Sequence, residues 1–444
     1  MRNALESVYQ RTLFPFQLYR KFGPHFKQAE NELHGNLALN RDQLEEKSRD
    51  KLKRLLLFAS QHNAFYKGYD IDPSDDVDKT LRSLPVLEKT DITRIPLSQM
   101  TTRLVEQHKT SGSTGIPVRI STDERAESYR RAAFYRFLHS HGINIFNKNV
   151  LIWGLMKTDG RDNGTLNKIK NSLFERTYLV NVFRLNAEMD RLYDKMLRFK
   201  PRFIRSYKSG VLQMCQLMKE RNMDPRPLTV QKVISTSEIL FPEERRFIEA
   251  FLGVKLYDEY GASEVGLIAG DCPYQNKHIY TDRVYYFLNQ EQELILTDLD
   301  NYLTPVINYK IGDRLTIDHD ASCPCGSPFP VIKRIEGRQG DQILTPAGQK
   351  LSQFIIYYIV NELTERGYEE AIAQYKVVQS DLHAFTFYYK PDRNFHSQAL
   401  QYVEQRLKEE IGTSITVHFE EVAEIPRDNS GKIRFFKGLE SPTE

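Results

Sequence analysis

Apolar positions in roughly the first 90 residues recur at helical spacing, as in Leu52-Lys53-Arg54-Leu55-Leu56-Leu57-Phe58, and this predicts a helical N-terminal region. From about residue 105 the pattern becomes that of an α/β chain. Short apolar runs such as Val118-Arg119-Ile120-Ser121, Val150-Leu151-Ile152-Trp153, Lys232-Val233-Ile234 and Val254-Lys255-Leu256-Tyr257 read as strands. Between them, Met189 to Arg198, Gly210 to Leu217 and Pro242 to Phe251 carry the period of helices. Residues 279–317 change character again. Ile279-Tyr280, Val284 to Phe287, Leu294 to Leu296 and Pro305-Val306-Ile307 are separated by polar turns, as in a small β-barrel or meander. After Gly340 the order is a helix (Leu351 to Arg366), strands at Tyr375 to Val378 and Ala384 to Tyr388, a helix (Ser397 to Ile411) and a strand at Ile415 to Phe419.

The expected fold is therefore α/β with an α+β C-terminal part. A large N-terminal domain of mixed sheets flanked by helices, with a small β-barrel-like region, covers 1–337, and a small mobile domain covers 338–444. A chain of 444 residues is too long for one core, which agrees with the boundary placed at Arg338 to Asp341. No internal repeat or low-complexity tract interrupts it.

Composition narrows the function classes. With 40% hydrophobic and 27% charged residues the chain reads as an ordinary globular protein, and a net charge of +3 argues against a dedicated nucleic-acid binder. No apolar run approaches the roughly 20 residues that span a bilayer. The segment Met1 to Ser7 lacks the apolar core of a signal peptide. Four cysteines in so long a chain make no disulfide framework, so a reducing cytoplasm is the expected location.

Five polar motifs follow one another: Thr110-Ser111-Gly112-Ser113-Thr114-Gly115, Tyr260-Gly261-Ala262-Ser263-Glu264, Ile311-Gly312-Asp313, Gly337-Arg338-Gln339-Gly340-Asp341 and Ser430-Gly431-Lys432. In the first, two glycines let successive N–H groups face inward and the hydroxyls add donors for phosphate oxygens. It is not a P-loop, because no Gly-Lys-Ser/Thr follows at the required spacing. In the second, a strand-end Tyr260 can stack on a flat base, Gly261 provides a turn, and Glu264 can reach a cation bridging phosphates; Mg²⁺ needs only one or two protein carboxylates. Asp313, read as a strand-end residue, can accept from both hydroxyls of a ribose. Arg338 has the planar fork suited to phosphate or ribose oxygens. Lys432, in a glycine-bordered loop, can enter and leave a site. Taken singly, each also reads as an ordinary turn or surface charge; the ordered set points to ATP.

The cysteines form a second constellation. Cys272 and His278 stand with five residues between them, and Cys323-Pro324-Cys325-Gly326 follows the intervening β segment. Three thiolates and an imidazole suit tetrahedral zinc, although reduced cysteines in turns beside an unrelated histidine are the alternative. Cys215 lies in a helical stretch and reads as a core residue.

These motifs resemble those of the adenylate-forming superfamily of acyl-CoA synthetases and peptide-synthetase adenylation domains. Within it, the chain is most similar to the phenylacetate–CoA ligase family, particularly its capsular-polysaccharide-biosynthesis branch. The resemblance runs from Leu84-Pro85-Val86-Leu87-Glu88-Lys89-Thr90-Asp91 to Lys432 and includes Trp153-Gly154, Phe199-Lys200-Pro201 and Thr236-Ser237-Glu238. It implies that Thr110 to Gly115 is a mobile phosphate loop, that Tyr260 stacks on adenine and that Ser237, Glu238, Gly261 and Ser263 help bind the nucleotide. Glu264 would hold Mg²⁺, Asp313 the ribose hydroxyls and Arg338 ribose or phosphate, while Lys432 would bridge the carboxylate and the α-phosphate. Thr114, Glu264 and Lys432 are the groups expected to act in catalysis. The cysteine–histidine set also recurs in the family, which implies a structural zinc on Cys272, His278, Cys323 and Cys325. The chain departs from its relatives in two places. Gly340-Asp341 stands where relatives often have two acidic residues, and Ser206-Tyr207-Lys208-Ser209 replaces Gly-Tyr-Pro-Ser near the acyl pocket.

The activity implied is ATP-dependent activation of a small carboxylic acid as an acyl-adenylate, followed by transfer to coenzyme A. A carrier-protein thiol, or an amine or hydroxyl of a polysaccharide or lipid precursor, is the alternative acceptor. A non-catalytic nucleotide-binding protein is the competing class. The C-terminal domain is expected to rotate about Arg338 to Asp341 between half-reactions. A homodimer is an expected assembly, the oligomeric state itself being left open by the sequence.

Overall fold

The structure, a computed structural model, describes residues 24–72, 76–99, 104–109, 119–144, 146–154, 176–338, 342–368, 371–428 and 432–439. These fall into two units. One runs to Ile311 and adds Leu315–Arg334; the other comprises Gly312–Arg314 and the chain from Ile335 onward.

The first unit opens with helices His25–Gly35 and Arg41–His62. The second begins at a capping box in which Asn40 accepts from the Gln43 N–H and Gln43 Oε1 accepts from the Asn40 N–H. Its buried residues Leu44, Leu52, Leu55, Leu56 and Ala59 lie on one stripe, as the periodicity predicts. A hairpin of β1 (Leu104–Lys109) and β2 (Arg119–Asp123) leads into the helix Glu124–Ser140, which Asp123 caps through the Ala126 N–H.

Among the described residues the main sheet has eleven strands: β3 (Asn149–Trp153), β4 (Thr177–Asn181), β5 (Phe203–Tyr207), β6 (Lys232–Thr236), β7 (Lys255–Ala262), β8 (Gly266–Asp271), β9 (Lys277–Ile279), β10 (Val284–Leu288), β11 (Glu293–Asp298), β12 (Tyr309–Asp318) and β13 (Val331–Arg338). Their spatial order is β10-β11-β12-β13-β9-β8-β7-β6-β5-β3-β4. The block from β4 to β7 is parallel, its crossovers formed by helices Leu185–Phe199, Lys208–Glu220 and Pro242–Leu252. Alternate strand residues serve two cores. Val150, Ile152, Ile204, Val233 and Leu256 pack with Met189, Met214, Cys215 and Ile248 of the crossover helices. Phe203, Ile234 and Tyr257 pack with Phe137 and Leu138 of the helix Glu124–Ser140. Cys215 is a core residue, as its helical setting predicts.

Three local expectations shift. Pro305-Val306-Ile307 is buried coil rather than strand. Pro305 offers no N–H to a ladder and Asn308 sits at φ +52, so β12 starts only at Tyr309. Asp313 consequently lies in mid-strand, not at a strand end, and Gly312 before it takes φ +88. Tyr260 and Gly261 belong to β7, and the turn comes one step later, at Ser263–Val265.

The second unit carries a hairpin, β14 (Gln342–Leu344) with β15 (Lys350–Ser352), ahead of the helix Phe354–Glu365. The helix therefore starts later than the Leu351 read from the sequence. A four-stranded sheet follows in the order β18 (Thr416–Glu421), β17 (Ala384–Pro391), β16 (Ile372–Gln379), β19 (Phe436–Lys437). Ile356, Ile359 and Leu363 join Val403, Leu407 and Ile411 of the helix Ser397–Ile411 in a core over Val377, Phe385, Phe387 and Phe436. Among the described residues no helix is long and apolar enough to cross a membrane.

Candidate active site and metal cluster

In open α/β sheets ligands bind outside the carboxyl ends of the parallel strands. Ser237-Glu238 directly follows β6, and Tyr260 to Glu264 closes the neighbouring strand β7; Thr236 pairs with Glu259. Ser237 sits at φ +69, a conformation costly for a residue with a Cβ and typical of functional turns. The Glu238 carboxylate accepts from the Ser209 N–H (2.6 Å) and Oγ (2.8 Å), which ties the end of β6 to the first turn of the helix after β5. Beside it, Lys208 Nζ donates to Glu244 Oε1 at 2.6 Å. Burial outweighs that contact and raises the Glu244 pKa.

Glu264 is buried, and the Tyr309 hydroxyl of β12 donates to its Oε1 at 3.2 Å. The turn that carries it is clamped by Arg130, whose guanidinium donates to the carbonyl oxygens of Ser263 and Glu264. Arg130 is in turn 3.6 Å from Asp298. Arg130 is a site-building residue that the sequence reading missed, since one arginine on a helix with several others carries no pattern. In β12 the alternation of buried positions places Asp313 on the face of Tyr309, Ile311 and Leu315.

Lys432 is half-buried in the second unit. Its N–H donates to Asp428 Oδ1 at 3.0 Å and its carbonyl accepts from the Asp428 N–H at 2.9 Å. Four residues later β19 anchors the segment beside β16. Arg338 ends β13. Thr110 to Gly115, Gln339 to Asp341, Ser430 and Gly431 lie outside the described residues.

Cys272, His278, Cys323 and Cys325 converge, each offering a ligand atom within 4.8 Å of the others. Cys272 Sγ is 3.6 Å from Cys323 Sγ, and Cys325 Sγ is 3.3 Å from His278 Nε2. His278 stands in the centre of β9, and its Nδ1–H donates to the Phe329 carbonyl at 2.8 Å, leaving Nε2 with its lone pair toward the thiols. The Tyr274 N–H points at Cys272 Sγ, the Ser327 N–H at Cys325 Sγ and the Asn276 amide at Cys323 Sγ. Each donor favours a thiolate. The donor set and its orientation fit a tetrahedral cation such as zinc.

The fold, a large α/β unit with a small α+β unit, is shared with solved acyl-CoA ligases. A crystal structure of 2-hydroxyisobutyryl-CoA ligase in the postadenylation state with 2-HIB-AMP superposes with a TM-score of 0.69 at 18% identity, covering 88% of this chain and 89% of that one. Residues 343–438 match the family model of the CapK C-terminal domain. Protein CapK of Staphylococcus aureus is 24% identical over 383 residues, 80% of this chain and 79% of the relative. Phenylacetate-coenzyme A ligase of Thermus thermophilus is 22% identical over 352 residues, 69% and 73% of the two chains. The chain is thus similar to CapK and to acyl-CoA ligases of the adenylate-forming kind.

Proposed function

We propose that the protein is an ATP-dependent, AMP-forming ligase that activates a carboxylic acid and passes the acyl group to a thiol, with coenzyme A as the first candidate. The observation that carries this reading is the meeting of Ser237-Glu238 and Tyr260 to Glu264 at the carboxyl ends of adjacent parallel strands. Relatives named as coenzyme A ligases of phenylacetate and 2-hydroxyisobutyrate, the latter with a bound acyl-AMP, support it. A carboxylate oxygen would attack the α-phosphorus as the bond to pyrophosphate breaks. A thiolate would then attack the acyl carbonyl and release AMP. The first step needs little proton transfer, since the carboxylate is already ionised, whereas in the second the thiol must first give up its proton to solvent or a nearby base; both demand that anions be brought together and their charge balanced.

In this reading Tyr260 stacks on adenine, Thr110 to Gly115 wrap the phosphates, Asp313 takes the ribose and Arg338 a ribose or phosphate oxygen. Lys432 neutralises charge between carboxylate and α-phosphate. Glu264, steadied by Tyr309 and Arg130, would hold Mg²⁺, which when bound offsets phosphate charge. Cys272, His278, Cys323 and Cys325 would hold a structural zinc.

Carboxylate-dependent exchange of labelled pyrophosphate into ATP, run over a panel of acids, tests the reading. At least one acid should support exchange, and Lys432→Ala should lower it by ~10² to 10³ while ATP binding changes little. Bound ATP without exchange for any acid would leave a nucleotide-binding protein instead.

A further inference from the structure

At the same carboxyl ends, Arg205 of β5 reaches past β6 to Glu259 of β7. Its Nε donates to Glu259 Oε1 at 3.1 Å and its Nη2 donates to that same oxygen. Among the described residues Glu259 Oε2 has no hydrogen-bond partner, although the Glu259 side chain is only 4% exposed. An arginine fork normally meets both oxygens of a carboxylate, and a buried acceptor without a donor is costly enough to be rare. This pair leaves one buried acceptor without a donor among the described residues. Aromatic rings flank the pair. The Arg205 guanidinium lies 4.4 Å over the Phe134 ring and 5.8 Å from Trp153, and Trp153 in turn packs on Tyr207 with ring centroids 4.2 Å apart. Trp153 and Tyr207 are the last residues of β3 and β5. Glu259 immediately precedes Tyr260.

We infer that Glu259 Oε2 accepts a hydrogen bond from a hydroxyl or amino group of the acyl substrate, with Arg205 orienting the carboxylate, so that the enzyme selects carboxylic acids bearing a hydrogen-bond donor over plain hydrocarbon acids. The inference rests on the ligase reading above. A site with a buried polar group discriminates strongly against an analogue that leaves the group unpaired, far more than a methylene-sized difference in an apolar pocket.

The test uses the full-length protein and pyrophosphate exchange with matched acids: benzoate against its hydroxy and amino derivatives at each ring position, phenylacetate likewise, and butyrate against the hydroxybutyrates. The best donor-bearing acid should exceed its plain counterpart by at least ~10² in kcat/KM. Glu259→Gln keeps the shape and should cut that ratio at least tenfold, mainly through KM. Circular dichroism checks its fold, and Glu259→Asp, which retains the charge but withdraws the oxygen, should cut the ratio in the same direction. Plain acids preferred or equal in the wild-type protein would overturn the inference and leave the ligase reading standing, as would a folded Gln variant with an unchanged ratio. Exchange with no acid at all would remove the ligase reading itself, and this inference with it.

Discussion

A Cβ added at position 261 would lie 2.5 Å from the Gly266 carbonyl oxygen, closer than side-chain atoms come. Gly261 is thus demanded by the close approach of β8 to β7, and the turn it was read as providing belongs to Ser263–Val265. Glu127 makes a second point at this scale. Burial alone would raise its pKa. The hydrogen bond from His108 Nε2 (2.6 Å), the positive charge of Arg130 and the bond from Thr122 Oγ1 (2.8 Å) outweigh that and bring it to about 2. A folded-state value below the unfolded one means stability that is fully present above about pH 5 and is lost as the pH falls toward 2. Urea denaturation of wild type and Glu127→Gln between pH 7 and pH 3 should show the wild type losing on the order of 1–3 kcal/mol more than the variant. Parallel pH dependence in the two would mean that the carboxylate is not held in this way.

Two tight turns build the metal cluster at the scale of elements. After β8 the chain folds back through Gln275 at φ +62, with the Cys272 N–H bonded to the Asn276 carbonyl. Between β12 and β13, Gly326 at φ +71 closes a turn on the Cys323 carbonyl. β9 sits between β8 and β13 and brings His278 opposite Gly270 and Val331, so two loops distant in sequence share one histidine. Purified protein should contain about one zinc per chain, measured by elemental analysis. Cys323→Ser should lose most of it and lower the melting temperature more than it lowers turnover of the folded fraction. Native protein without zinc, or a Ser variant with the same content, would reject the assignment. The donor types were legible in the sequence, and their convergence, expected from the resemblance, is what the structure shows. Spacing alone would not have given it, because Cys-x-Cys differs from the familiar Cys-x-x-Cys and the sheet order brings the pairs together.

For the molecule as a whole, the second unit has its own core, in which Phe385, Phe387 and Phe436 are fully or almost fully buried. An α+β unit of about 100 residues with such a core should fold alone. A fragment spanning 338–444 is expected to unfold cooperatively on heating, with a near-ultraviolet circular dichroism signal from its ordered aromatic residues. A broad, non-cooperative melt would show that its core needs the rest of the chain.

Periodicity in the sequence determined most of the elements, because burial acts locally: a helix such as Ser397–Ile411 buries Ala399, Val403, Leu407 and Ile411 at every fourth position. It also showed the residue types suited to nucleotide and metal, since hydroxyls, carboxylates and thiols carry their chemistry wherever they lie. The tertiary structure alone decided which of them face one another. β19, two residues long, was invisible to periodicity and exists only through parallel pairing with β16. Arg130 reaches a turn 134 residues away, and Arg205 leaves half of Glu259 unpaired across 54. Such contacts depend on strand order and on the shape of neighbouring rings, and neither quantity is written in any local stretch of chain.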